Sequence, residues 1–137
     1  MPQLMEAAQV EKELNVYGQA RLARKDTVAD ATTPLTLTSA YYGKVLLYSP
    51  GATAAITLPA NGAAAGSIMD VIVLTNQTVV ISAATVDTLI TVNDTAADSV
   101  AFQTTSEKIG SHVRFISTGT YWVAINLGST TMTVATN

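Results

Sequence analysis

The residues able to do chemistry in this sequence are few, and their spacing argues against most of what they could do. His112 is the only histidine in 137 residues. A general base is most often histidine. Its chain neighbours are Ser111, Val113 and Arg114, and no G-x-S-x-G elbow supplies a nucleophile for it. It reads as a structural or edge residue at the start of a strand. Asp94 and Asp98 flank a TAA triplet, with Asp87 just upstream. Calcium takes several oxygen ligands, but EF-hand spacing is missing and turn-forming aspartates are the plainer reading. A glycosidase needs two carboxylates facing one cleft, and nothing in the linear order favours such a pair. Gly43-Lys44 lacks the glycine spacing of a phosphate loop. Cysteine is absent, which excludes disulfides, thiolate nucleophiles and cysteine–zinc sites. The expectation is a protein that is not an enzyme and uses no cofactor and no metal.

Two further groups could bind rather than react. Tyr41, Tyr42, Tyr48, Tyr121 and Trp122 could stack on sugar, although such rings also anchor cores and interfaces. Tyr41, Tyr42 and Trp122 are the candidates for contact with another subunit or with a glycan. Arg21, Arg24 and Lys25 sit close together. They form either a solvated cluster or a contact for an acidic surface.

The elements that hold these residues fall into two parts. Residues 3–14, QLMEAAQVEKEL, are mostly strong helix formers without proline or glycine. Val10, Leu14 and Tyr17 share one face of that helix by spacing. A lone helix of this length is marginal in water and needs a partner. The segment reads as a frayed tail or, the expectation adopted here, as an arm that orders on a partner. An extended connector, RLARKDTVADATTP, follows. From Pro34 onward threonine, valine and isoleucine recur, as suits pleated strands. PLTLT puts Leu35 and Leu37 on one face, and TAAITLP groups Ala54, Ile56 and Leu58. SIMDVIVLT is a near-continuous apolar run of the kind buried on both faces. STG at Ser117–Gly119 predicts a hairpin turn, and the strand after it is expected to turn Tyr121, Val123, Ile125 and Leu127 inward. About nine or ten short strands with frequent turns predict a single all-β domain over 34–137, a sandwich, jelly roll or small barrel. Residues 1–33 form the arm, and no long internal repeat is visible.

Composition narrows the partners. The formal charge is −3, which supplies no broad basic patch for nucleic acid. No apolar run approaches the roughly 20 residues that cross a bilayer, and MPQLMEAAQVEKELN does not read as a secretory signal. Residues 31–137 carry only three cations, Lys44, Lys108 and Arg114. A body so poor in charge is solvated by threonine and asparagine or covered by other subunits.

The order of pieces in 34–128 carries a resemblance. PLTLTSAYYGKVLLYS is followed by AAITLPANGAAAGSIMDVIV, TVVISA, DTLITVND and VRFISTGTYWVAINLG. This resembles a β-domain of tailed-bacteriophage virion proteins, including capsid decoration (cement) proteins and some fibre proteins. The matching residues are Ile56, Thr57, Leu58, Pro59, Gly66, Gly119, Thr120, Tyr121 and Trp122, with Ala55 where the strand motif begins with threonine. The resemblance implies a structural virion protein that binds the outside of a capsid and stabilises it, assembled in the host cytoplasm. Its implied partners are the major capsid protein and copies of itself, as a homotrimer, with neither nucleic acid nor membrane. Leu4, Val10, Leu14, Tyr17, Arg21, Arg24 and Lys25 become the capsid-contact candidates. The alternative is a head- or tail-fibre module that recognises host glycans.

Overall fold

The computed structural model describes residues 26–60 and 64–136. The predicted helix over 3–14 and its contact candidates Leu4, Val10, Leu14, Tyr17, Arg21, Arg24 and Lys25 lie outside the described residues. What is described is almost wholly β, as the threonine- and valine-rich pattern requires.

Strands β1 (Asp26–Asp30), β3 (Lys44–Tyr48), β5 (Ile68–Val73), β7 (Leu89–Thr91), β8 (Asp94–Ala97), β10 (His112–Ser117) and β11 (Trp122–Asn126) build one sheet. Its order is β1-β3-β5-β10-β11-β7-β8. Strands β2 (Leu35–Thr36), β4 (Ala54–Thr57), β6 (Val79–Ser82), β9 (Ser99–Phe102) and β12 (Thr133–Ala135) build the second. Its order is β12-β9-β6-β4-β2. The two sheets pack into the expected all-β sandwich. The strands outnumber the expectation because the stretch read as a connector contributes β1, and because Asn93, at φ 62°, folds TLITVND into the β7–β8 hairpin.

The first six strands alternate between the sheets. Each pairs in parallel with the strand two places on, β1 with β3 with β5 and β2 with β4 with β6. The chain therefore winds as a flattened coil. Parallel neighbours need a long crossover, and here the opposite sheet supplies it. Like positions of successive turns stack in register. Leu35, Ile56 and Ile81 line up in the second sheet, with Val100 added from β9. Leu46, Val71 and Val113 line up in the first. All seven are buried. No sequence repeat announces this coil, because the loops between its turns differ in length and only the burial pattern recurs.

The β10–β11 hairpin, predicted from STG, is antiparallel and pairs Ser117 with Trp122. It fills the place between β5 and β7, so strands from late in the chain occupy the middle of the first sheet. The phase of β11 is the reverse of the expectation. Trp122 and Ala124 point into the core, whereas Tyr121, Ile125 and Leu127 are exposed. The period of two was right, but both faces of this strand carry apolar residues, so hydropathy could not fix which one faces inward. Trp122 is 1 % exposed. Its indole N–H donates to the Pro59 carbonyl at 3.1 Å, and its ring lies 6.0 Å from that of Tyr42. Trp122 is therefore a core residue, not a surface platform for glycans.

Trp122→Ala is expected to lower the unfolding free energy by about 3–5 kcal/mol, the cost of a large aromatic cavity. Urea denaturation of both proteins measures it, and an unchanged midpoint would contradict the placement of this ring.

Candidate functional site

Asp70 and Arg114 face each other across the antiparallel pair β5–β10, and His112 stands two residue pairs away on β10. His112 and Arg114 share a face because side chains alternate along a strand. All three project from the outer surface of the first sheet, opposite the face of Met69, Val71, Val113 and Phe115, which fill the core. The Arg114 guanidinium forms a two-pronged contact. Nε donates to Oδ1 at 2.8 Å and Nη2 to Oδ2 at 2.9 Å. His112 Nε2 lies 3.1 Å from Oδ2. Asp70 is only 2 % exposed, against 25 % for His112 and 34 % for Arg114. A carboxylate so far out of water needs its charge matched and its oxygens bonded, and the planar fork of arginine does both. The hydrogen bonds to Asp70 hold the Arg114 guanidinium above its ordinary value, against an opposing effect of burial.

An aspartate beside a histidine invites comparison with a catalytic dyad. Among the described residues the rest of such a device is not assembled around it. Ser111, the adjacent hydroxyl, is fully buried and donates to the Glu107 carbonyl. Both oxygens of Asp70 are engaged by Arg114 and His112. What this cluster does in the fold is fasten β5 to β10 at the centre of the sheet. The reading of His112 as structural came from its sequence neighbours. Its bond to Asp70 was not foreseen, because a contact across 42 residues leaves no trace in local spacing.

The other acids also serve the fold. Asp94 accepts from the Ala96 amide at 2.9 Å and from the Thr136 hydroxyl at 2.7 Å. Asp98 accepts from the Asp87 amide at 2.8 Å, where Asp87 itself sits at φ 57°. These are turn-forming roles. Glu107 was not singled out from the sequence, yet it gathers a whole loop. Its carboxylate accepts from the hydroxyls of Ser129, Thr130 and Thr131 and from the Thr131 amide at 3.0 Å. The hydroxyls of Thr130 and Thr131 lead the effects that hold the pKa of Glu107 below its ordinary 4.5. Gly128 presses the same loop against β10. A Cβ there would come within 3.0 Å of the Gly110 carbonyl oxygen and of His112 Cβ. Among the described residues no group of three or more histidine, cysteine or acidic side chains could hold a metal.

The aromatic candidates do not converge on a platform. Tyr41 and Tyr42 are half-buried against the core, and the Tyr41 hydroxyl donates to Asp30 at 3.4 Å. Tyr48 is buried and donates to the Thr32 carbonyl at 2.7 Å. Tyr121 is 38 % exposed. A pocket of about 200 Å³ is lined by Asn76, Thr105, Ser106, Lys108 and Ile109. It lies below the roughly 300–1,000 Å³ of typical ligand sites.

The surface around the Asp70–Arg114 pair is broad and largely apolar. Val45 and Leu47 of β3, Ile68 and Ile72 of β5, Ile116 of β10 and Val123 of β11 share that outer face and are half-buried. Ile125 on the same face is exposed. A sheet face in water ordinarily alternates to polar residues, and this one does not. No family model, no curated protein and no solved structure matches this chain.

Two outcomes follow. Arg114→Ala is expected to cost about 2–3 kcal/mol, short of the 3–5 of a fully buried pair because its guanidinium keeps contact with water. Asp70→Leu combined with Arg114→Met is expected to recover most of that loss, since apolar pairs of similar volume replace buried ion pairs well. Urea titration of the two variants beside the unmodified chain checks both values. For Glu107, a pKa lowered on folding means stabilisation that is present above 4.5 and is lost as pH falls through the folded value. Glu107→Gln should flatten the fall in thermal midpoint below pH 4.5. A residual slope should remain, because Asp30 and Asp94 are also lowered.

Proposed function

We propose that this chain is a structural protein of a tailed-bacteriophage virion, which binds the outside of the capsid and stabilises it. The observation that carries the reading is the meeting of the motif pieces behind the resemblance. The strand ending Ile56-Thr57-Leu58-Pro59 and the strand beginning at Trp122 lie in different sheets, and the Trp122 indole bonds to Pro59 between them. Gly66 of the small-residue loop donates to the Ser117 carbonyl at 2.7 Å, next to the turn containing Gly119. These pieces form one structural unit, which gives a physical reason for them to occur together. The chemistry-bearing side chains support the same reading, because Asp70, His112, Glu107 and Trp122 are engaged in holding strands and loops.

The mechanism is mechanical. A protein whose contacts exist only in the assembled shell stabilises that shell by mass action. A specific interface buries on the order of 800 Å² per partner. Residues 1–33 would add to that contact, with Leu4, Val10, Leu14, Tyr17, Arg21, Arg24 and Lys25 meeting the major capsid protein. Association as a homotrimer would raise the effective concentration of each arm once one is bound.

The test uses phage heads assembled without the protein. Purified chain should co-sediment with them and raise the temperature at which they release DNA. Labelled chain that attaches to host cells and ignores bare heads would overturn the proposal in favour of the glycan-binding alternative.

A further inference from the structure

We infer that the outer face of the first sheet is the seat of the amino-terminal segment of the same chain, with residues 3–17 lying across β3, β5, β10 and β11. This goes beyond the capsid reading and does not depend on it.

Four observations converge. The face is apolar where water-facing strands are ordinarily polar. It carries Val45, Leu47, Ile68, Ile72, Ile116, Val123 and Ile125, and the Asp70–Arg114 pair in its middle is neutral as a unit. Next, the described chain begins at Asp26 in β1, the edge strand of this same sheet. The segment before it is therefore tethered at one edge of this sheet. The sizes also agree. Five strands from β1 to β11 are about 19 Å across at the usual strand spacing. A helix over 3–14 would be about 18 Å long and about 10 Å wide. The residues left as linker, 18–25, span at most about 26 Å when extended, enough for the return from the sheet edge. Lastly, Val10, Leu14 and Tyr17 recur at helical spacing and give such a helix one apolar stripe to lay down.

The extent of the face selects this occupant over a second copy of the chain. Five strands by five residues is about 320 Å² in plan. One helix covers much of that, whereas a stable association of two proteins needs on the order of 800 Å² from each. Tethering also favours the chain's own segment, since its effective concentration is in the millimolar range for a short linker. Val10, Leu14 and Tyr17 cannot cover the sheet and touch another protein at once. In the free molecule the sheet would hold the segment, and any partner that takes it must compete.

The experiment uses the full chain carrying Ala8→Cys with a nitroxide label; position 8 is off the Val10–Leu14–Tyr17 stripe, and no native cysteine competes for the label. The expected result is paramagnetic loss of the methyl signals of Ile72, Ile116 and Val123, with those of Val134 and Ile81 in the second sheet retained. The loss should persist on dilution with unlabelled chain, and adding Leu14→Lys to the labelled chain should restore the signals. Two results would overturn the inference. One is equal or absent broadening on the two sheets. The other is broadening of isotope-enriched, unlabelled chain by labelled chain in a mixture, which assigns the face to another copy. Neither readout involves phage heads, so failure here and failure of the capsid reading are separable.

Discussion

The buried hydrogen bond from Trp122 to Pro59 joins the two sheets, and much of the fold can be understood from it. The proline ends β4 because it cannot donate to a ladder, and that leaves its carbonyl turned toward the interior. A buried carbonyl without a donor is costly. The indole supplies the donor and, with the same side chain, the largest piece of apolar volume in the core. Tyr42 packs on the ring, and Leu89 pairs with Trp122 in the register of β7 and β11. Removing the tryptophan would take away a filler, a donor and the neighbour that sets two strands.

Much of the architecture was legible because strand formation is a local matter. Leu35 with Leu37 and Ala54 with Ile56 and Leu58 were grouped correctly, and each set is buried. The apolar run around β5 was read as covered on both faces; on its second face Asp70 is buried, but Ile68 and Ile72 are only half-buried. Orientation was another matter. In β11 the alternation has the right period and the wrong phase, since Val123 and Ile125 are as apolar as the residues that replace them in the core. Only the partner strands decide between the faces. The coil of β1 to β6 was invisible for a related reason. Parallel stacking is a relation among distant turns, and turns of unequal length leave no fixed period in the sequence.

The site residues divide in the same way. His112 was read as structural from its company in the sequence, and in the fold it contacts Asp70 across β5 and β10. The Asp70 and Arg114 partnership was missed, because nothing near Asp70 in the chain is charged. Glu107 was missed because threonines and serines are everywhere in this protein, and a carboxylate that collects three of them does not stand out. Trp122 was offered as a surface ring and turned out to be the reverse. In each case the side chain with the most chemical promise is engaged in holding strands or loops together. That pattern suits a protein whose use is mechanical.

The placement of the β10–β11 hairpin between β5 and β7 has a consequence for biosynthesis. Strands β7 and β8 leave the ribosome well before their sheet neighbours exist. The first sheet must stay divided, with two unsatisfied edges facing each other, until residues 112–126 emerge and close the gap. Between the completion of β8 at Ala97 and the arrival of β11 the nascent chain therefore holds a wound coil and a separate hairpin. A ribosome that stops short of Trp122 releases a product lacking the centre of its sheet, not a product trimmed at one margin.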